Sequence, residues 1–312
     1  MTDIPLLSVA LTPGTHADAE RLAAALQVLT SADPTLRVRT DAATSATIIS
    51  ATGEEQLEIL VDRLAREFGV AGSLGPPQVE YRERLTRSAE GEMKDAGTVD
   101  GIRYYAHVKL RVAPRAPGAA NVVVNEALAI PVAFIPSVIG SITESLELGA
   151  LAGYPLIDVS VTVFDGSYHD VDSSERAFRQ AASLALRDAV ARAKPVRVEP
   201  VMRIEVTAPD RDREDVVRGL LRRRAQMQLL AQHGKTITIY AVAPLANLLG
   251  YAHELRAQTG GQGSVTMTFH CYEPVRPNED SEDKRDGPGV RQPLRPRPSP
   301  RAGHIAVPLD EM

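Results

Sequence analysis

Apolar residues cluster as a strand-like run at residues 6–11, then change to a helical spacing over 16–31, where Leu22, Leu26 and Leu29 share one face. Asp33-Pro34 stops that helix. Two short runs, 36–40 and 46–50, read as strands joined by a polar turn. Residues 54–68 form a second helix with Leu57, Leu60, Val61, Leu64 and Phe68 inward and Gly69 as its terminator, and 70–74 read as a last strand. The order β-α-β-β-α-β is the split βαβ pattern of a ferredoxin-like domain.

The same order returns near the far end. Strand 201–208, helix 213–224, strands 225–232 and 235–242 around His233-Gly234, helix 245–257 and strand 264–273 repeat the architecture without visible repetition of sequence. Residues 79–198 between them differ. Runs 79–94 and 104–114 read as a long hairpin around a loop from Asp95 to Arg103, with 122–128 as an added strand. Helix 134–151, strand 155–166 and helix 175–193 complete the module. A turn, Asp165 to Asp172, lies between that strand and helix, a usual position for functional side chains. The predicted fold class is α+β, with domains at 4–78, 79–198 and 199–274. Residues 275–312 are rich in Pro, Arg, Asp and Glu. They read as a disordered tail, either merely solvated or an arginine-rich RNA arm.

Composition narrows the function. The chain has 312 residues and a formal net charge of -5, so RNA contact would have to come from local basic patches. Aromatic residues are 4% with no tryptophan, too few for a base-stacking platform. No run of about 18 apolar residues predicts a membrane span, and one cysteine, Cys271, fits a reducing cytoplasm and buried packing. No G-x-x-x-x-G-K-[ST] and no Asn-Lys-x-Asp occurs, so no nucleotide site is expected. The absence of H-E-x-x-H, C-x-x-C and G-x-S-x-G leaves zinc and serine chemistry unsupported. His169, Asp170 and Asp172 resemble metal ligands only superficially. Acids beside a helix start have a dipole reason to be there, as do Glu54 and Glu55. Arg222, Arg223 and Arg224 end a helix, where they either complement its dipole or meet phosphate. No cofactor and no catalytic residue is expected.

Three stretches resemble the C-terminal half of translation elongation factor G. Residues 33–70 with 75–83 are similar to its third domain, YPLIDVSVTVFDGSYHDVDSSERAF (154–178) to its fourth, and PLANLLGYAHELRAQTGGQGSVTMTF (244–269) to its fifth. The resemblance implies two ferredoxin-like domains flanking a ribosomal-protein-S5-like domain. It implies the ribosome as partner, with the fourth domain reaching the decoding centre beside the A-site tRNA. On that reading Gly166, Ser167, Tyr168 and His169 form a tip that meets RNA, joined by Arg103, Tyr105 and His107 of the neighbouring hairpin, and by Arg222, Arg223 and Arg224 elsewhere. The family's glycine-rich tip is replaced here by Thr98 to Val108, of which Tyr105, His107 and Val108 match, and its Q-T-Q-G-R becomes Gln258 to Gln262. The expectations left open are an accessory factor without GTPase, half of a split factor with a GTPase polypeptide in trans, or a decayed paralogue.

Overall fold

The computed structural model describes residues 5–40, 46–70, 72–99 and 102–275. The tail expected from residue 275 lies, beyond Val275, outside the described residues.

The first domain comprises β1 (Leu7–Pro13), α1 (His16–Ala32), β2 (Arg37–Thr40), β3 (Thr47–Ala51), α2 (Glu54–Arg66) and β4 (Gly72–Leu74), with sheet order β2-β3-β1-β4. A short β5 (Gln78–Val79) adds to β1. The Thr15 hydroxyl accepts from the Asp18 amide and starts α1, and Leu22, Leu26 and Leu29 are buried as their spacing predicts. Leu57, Leu60 and Leu64 do the same for α2. Gly69, at φ 60°, takes the left-handed backbone that ends its C-terminal turn.

The chain then crosses through β6 (Arg82–Arg84) into the middle domain: β7 (Ala89–Val99), β8 (Ile102–Pro114), β9 (Val122–Asn125), α3 (Ile135–Leu148), β10 (Val159–Ser167) and α4 (Glu175–Arg192). The sheet order is β7-β8-β10-β9, with β10 antiparallel to β8 and parallel to β9. Alanines carry α4 onto the sheet: Ala177, Ala181, Ala182, Ala185 and Ala189 are all buried. The approach is so close that a Cβ on Gly91 of β7 would lie 2.6 Å from the Ala189 nitrogen.

The last domain has β11 (Val196–Pro209), α5 (Arg213–Arg222), β12 (Gln226–His233), β13 (Thr236–Pro244), α6 (Tyr251–Gln258) and β14 (Ser264–Pro274) in the order β12-β13-β11-β14. Both outer domains have the ferredoxin-like strand order, and the whole is α+β as predicted.

Local boundaries depart from the sequence reading. The expected loop from Asp95 to Arg103 is mostly strand, because β7 runs on to Val99 and β8 begins at Ile102. The single strand expected over 79–94 is broken into three, and its centre, β6, pairs with β11 of the last sheet. The helix expected over 245–257 is a short 3-10 turn, then a left-handed Gly250 at φ 72°, then α6. Strand β11 begins at Val196, five residues early, since it must reach β6.

That pairing joins two domains. Val196, Arg197 and Val198 face Arg84, Glu83 and Arg82, while the other edge of Glu83 bonds the middle domain. Its amide donates to the Pro155 carbonyl (2.9 Å) and its carbonyl accepts from Ile157 (3.0 Å). Arg84 donates to the buried Asp158 carboxylate at 2.8 Å, and Arg82 donates to the Tyr272 hydroxyl at 2.8 Å. The first and last domains meet through α2 and the start of α6: Glu54 accepts from the Gly250 amide (3.1 Å), and His253 lies 3.1 Å from Glu58.

Candidate functional site

Seven of the predicted contact residues converge at one end of the middle sheet. Inward positions on β8 are Ala106, Val108, Leu110 and Val112, all buried, so Tyr105, His107 and Lys109 face the side that the helices leave open. Strand β10 would put Asp165 into the core if its alternation continued from Val159, Val161 and Val163. A bulge at Phe164 prevents this: Val163 opposes Leu110, but Asp165, not Phe164, opposes Lys109. Gly166 thus turns inward, where a Cβ would lie 2.7 Å from Ile130, and Ser167 turns outward beside His107.

A hydrogen-bond chain runs across this face. The Tyr105 hydroxyl lies 2.8 Å from Ser167 Oγ, Ser167 Oγ lies 3.0 Å from His107 Nδ1, and His107 Nε2 lies 2.8 Å from Glu92 Oε1. With Nε2–H donating to the carboxylate, Nδ1 accepts from Ser167, whose oxygen accepts from Tyr105. The His107 bond holds the Glu92 carboxyl below the usual range. His107 and Ser167 therefore commit their polar atoms to each other. The sequence had not pointed to Glu92 at all.

Beyond Ser167 the loop follows the β8 edge that β10 has vacated. The Tyr105 amide donates to the Asp172 carbonyl at 2.9 Å, and Ser173 Oγ donates to the Tyr105 carbonyl at 2.8 Å. Tyr168 is 48% exposed, and the His169 side chain 53%, so both are presented outward. The His169 ring lies 6.4 Å from that of Tyr105, over which Lys94 sits at 5.7 Å. Arg103 is exposed and 3.8 Å from Asp172. Lys109 lies between Glu92 (3.7 Å) and Asp165 (3.6 Å). Cations and acids are thus interleaved at this end, so it offers directed hydrogen bonds more than a broad positive field.

The arginine triplet stands apart, in the last domain. Arg222 closes α5, Arg223 lies beyond it, and Arg224 takes φ 58°. Arg223 is mostly buried, 2.5 Å from Glu254 and with its guanidinium 5.0 Å over the Tyr251 ring, so it stitches α5 to α6. Burial pushes the Tyr251 phenol up to about 12. Arg222 and Arg224 are exposed. Cys271, expected to be buried, is only part-buried because it lies on the edge strand β14, and that burial together with the nearby Glu273 carboxylate raises its thiol. Among the described residues no cluster of His, Cys, Asp or Glu could hold a metal, and no helix is long and apolar enough to cross a membrane.

Comparison with known proteins follows the same three-part division. Residues 3–76 match elongation factor G domain III, residues 77–194 match elongation factor G domain IV, and residues 196–282 match the elongation factor G C-terminus. A crystal structure of a protein from Thermus thermophilus is similar at 34% sequence identity and a TM-score of 0.67. The alignment covers 88% of this chain and 41% of that one, so this chain spans less than half the length of that relative. Three consecutive matches in the family's own order, on the predicted folds, lead to one conclusion: the chain belongs to the elongation factor G family, of which it carries domain III, domain IV and the C-terminal domain.

Proposed function

We propose that this protein is a ribosome-binding translation factor that works in the cytoplasm at the factor site. On this reading the exposed end of the middle domain meets RNA near the A site, and this sequence, which has no G-x-x-x-x-G-K-[ST] and no Asn-Lys-x-Asp, does not itself bind GTP. The observation that carries the reading is the convergence of Tyr168, His169, Tyr105 and Arg103 at the free end of the β7–β8–β10 sheet. There two outward rings and a cation stand on a backbone fixed by hydrogen bonds to Asp172 and Ser173. Rings stack on exposed bases, and an imidazole or guanidinium donates to phosphate and ribose oxygens. The interleaved acids favour an accessory or regulatory role over general RNA binding, because a sequence-independent binder relies on a basic surplus.

Sedimentation of the purified chain through a sucrose cushion with 70S ribosomes tests this. Saturable co-sedimentation is expected, weakened about tenfold or more by a combined Tyr168→Ala and His169→Ala change. Base–aromatic stacking of about 1–3 kcal/mol sets that scale. Failure of the parent protein to pellet with ribosomes, or equal pelleting of the double variant, would reject the proposed contact. The same preparation should not bind a fluorescent guanine nucleotide.

A further inference from the structure

His169 is held in an unusual way for an exposed loop residue. Its Nδ1 atom receives two backbone amides, from Asp172 at 3.2 Å and from Val171 at 3.4 Å. The Asp172 carboxylate also lies 3.3 Å from the same nitrogen. These contacts make opposite demands: the amides need a lone pair on Nδ1, and an ion pair needs a proton there. The amides decide, because a proton on Nδ1 would face two other hydrogens. Asp172 has Arg103 as its alternative partner at 3.8 Å. The ring is then neutral, with its one proton on Nε2, which has no partner among the described residues and lies on a side chain that is 53% exposed.

Ser173 keeps this arrangement in place. Its Oγ accepts from the His169 amide at 2.9 Å and donates to the Tyr105 carbonyl at 2.8 Å, while its own amide donates to the His169 carbonyl at 3.1 Å. One hydroxyl thus closes the loop on itself and fastens it to β8. We infer that Ser173 is the positioning residue of this loop, and that it presents His169 as a neutral imidazole whose Nε2–H is a preset donor to an oxygen acceptor on a nucleic-acid backbone. The ligand class rests on the ribosome contact proposed above; the tautomer and the role of Ser173 do not. The loop gives up little freedom on binding, since the ring is already ordered.

Long-range 15N–1H spectra of histidine-labelled full chain at pH 7.5 read the tautomer directly, with His169→Gln identifying the signal. The Nε2–H form is expected. A signal from the Nδ1–H form, or from the charged ring, overturns the inference whatever the ribosome data say. Ser173→Ala should give averaged tautomer signals and weaken ribosome co-sedimentation by about tenfold, on the scale of one or two hydrogen bonds. Ser173→Thr, which keeps the hydroxyl, should restore both. An unchanged His169 signal in Ser173→Ala removes Ser173 from the role. A correct tautomer without ribosome binding leaves this inference standing and rejects the proposed function; the reverse result does the opposite.

Discussion

Glu83 is the residue whose setting conflicts most with its chemistry. It is 7% exposed between β11 and the middle domain, and one carboxylate oxygen has no hydrogen-bond partner. Burial pushes its carboxyl up from the ordinary range. A raised carboxyl means that the folded state prefers the proton. The penalty is therefore full above the folded value, shrinks as pH falls through it, and is gone below the unfolded value near about 4.3. Glu83→Gln keeps the shape and removes the charge. It should stabilise the protein by about 1 kcal/mol at pH 7.5 and by almost nothing at pH 4, as measured by urea unfolding at both. A variant less stable than the parent at pH 7.5 would show that the charge has a partner. Nothing in the residues of β6 signals this conflict, since Arg82-Glu83-Arg84 reads as an ordinary solvated run.

At the level of single elements, α4 and the strands beneath it set the position of the tip. The helix starts at Ser174, whose hydroxyl accepts from the Ala177 amide at 3.3 Å. Ser174→Ala should cost about 1 kcal/mol, measured by urea unfolding. Gly91 is a more sensitive point, because α4 lies directly on it and a Cβ would meet backbone atoms of Ala185 and Ala189 that cannot move aside separately. Gly91→Ala should lift the helix and cost about 2 kcal/mol or more, with Tm as the readout. A Tm within about a degree of the parent would mean that the helix has room to shift. The sequence reading placed a helix over 175–193, and Ala177, Ala181, Ala185 and Ala189 recur along it every four residues. The partner Gly91 was not legible there, because nothing local marks which strand a small-residue face will meet.

At the scale of the molecule, the two joints differ in kind. The middle and last domains share a ladder through β6 and a buried pair: the Asp158 side chain is 3% exposed, accepts from Arg84, and also accepts from the Gly118 amide at 2.9 Å. The first and last domains instead share one continuous apolar cluster, and their joint also includes the exposed His253–Glu58 contact. Removing one partner of a buried pair leaves the other charge stranded, so Asp158→Ala should cost about 3–5 kcal/mol. It should also split one calorimetric transition of the middle and last domains into two. Asp158→Asn should cost less. It tolerates the observed φ of 57° and keeps an acceptor for Gly118. A single unchanged transition in Asp158→Ala would mean that the β6 ladder alone couples the domains.

A strand-to-helix turn and the resemblance to elongation factor G pointed to the loop from Gly166 to His169; local sequence alone was enough to set the element order, both ferredoxin-like patterns and the buried faces of α1 and α2. Those properties follow from periodicity, caps and turn residues that lie close together along the chain. Long-range packing settled the rest. Whether β6 belongs to the middle or the last sheet depends on β11, which is far away in the chain. Whether Asp165 faces core or solvent depends on a bulge that arises only when β10 is paired with β8. His107 and Ser167 were contact candidates only through the family resemblance, which says nothing of what they touch within the chain. Paired strands bring them within hydrogen-bond distance, and that pairing turns them into the support on which Tyr105 stands.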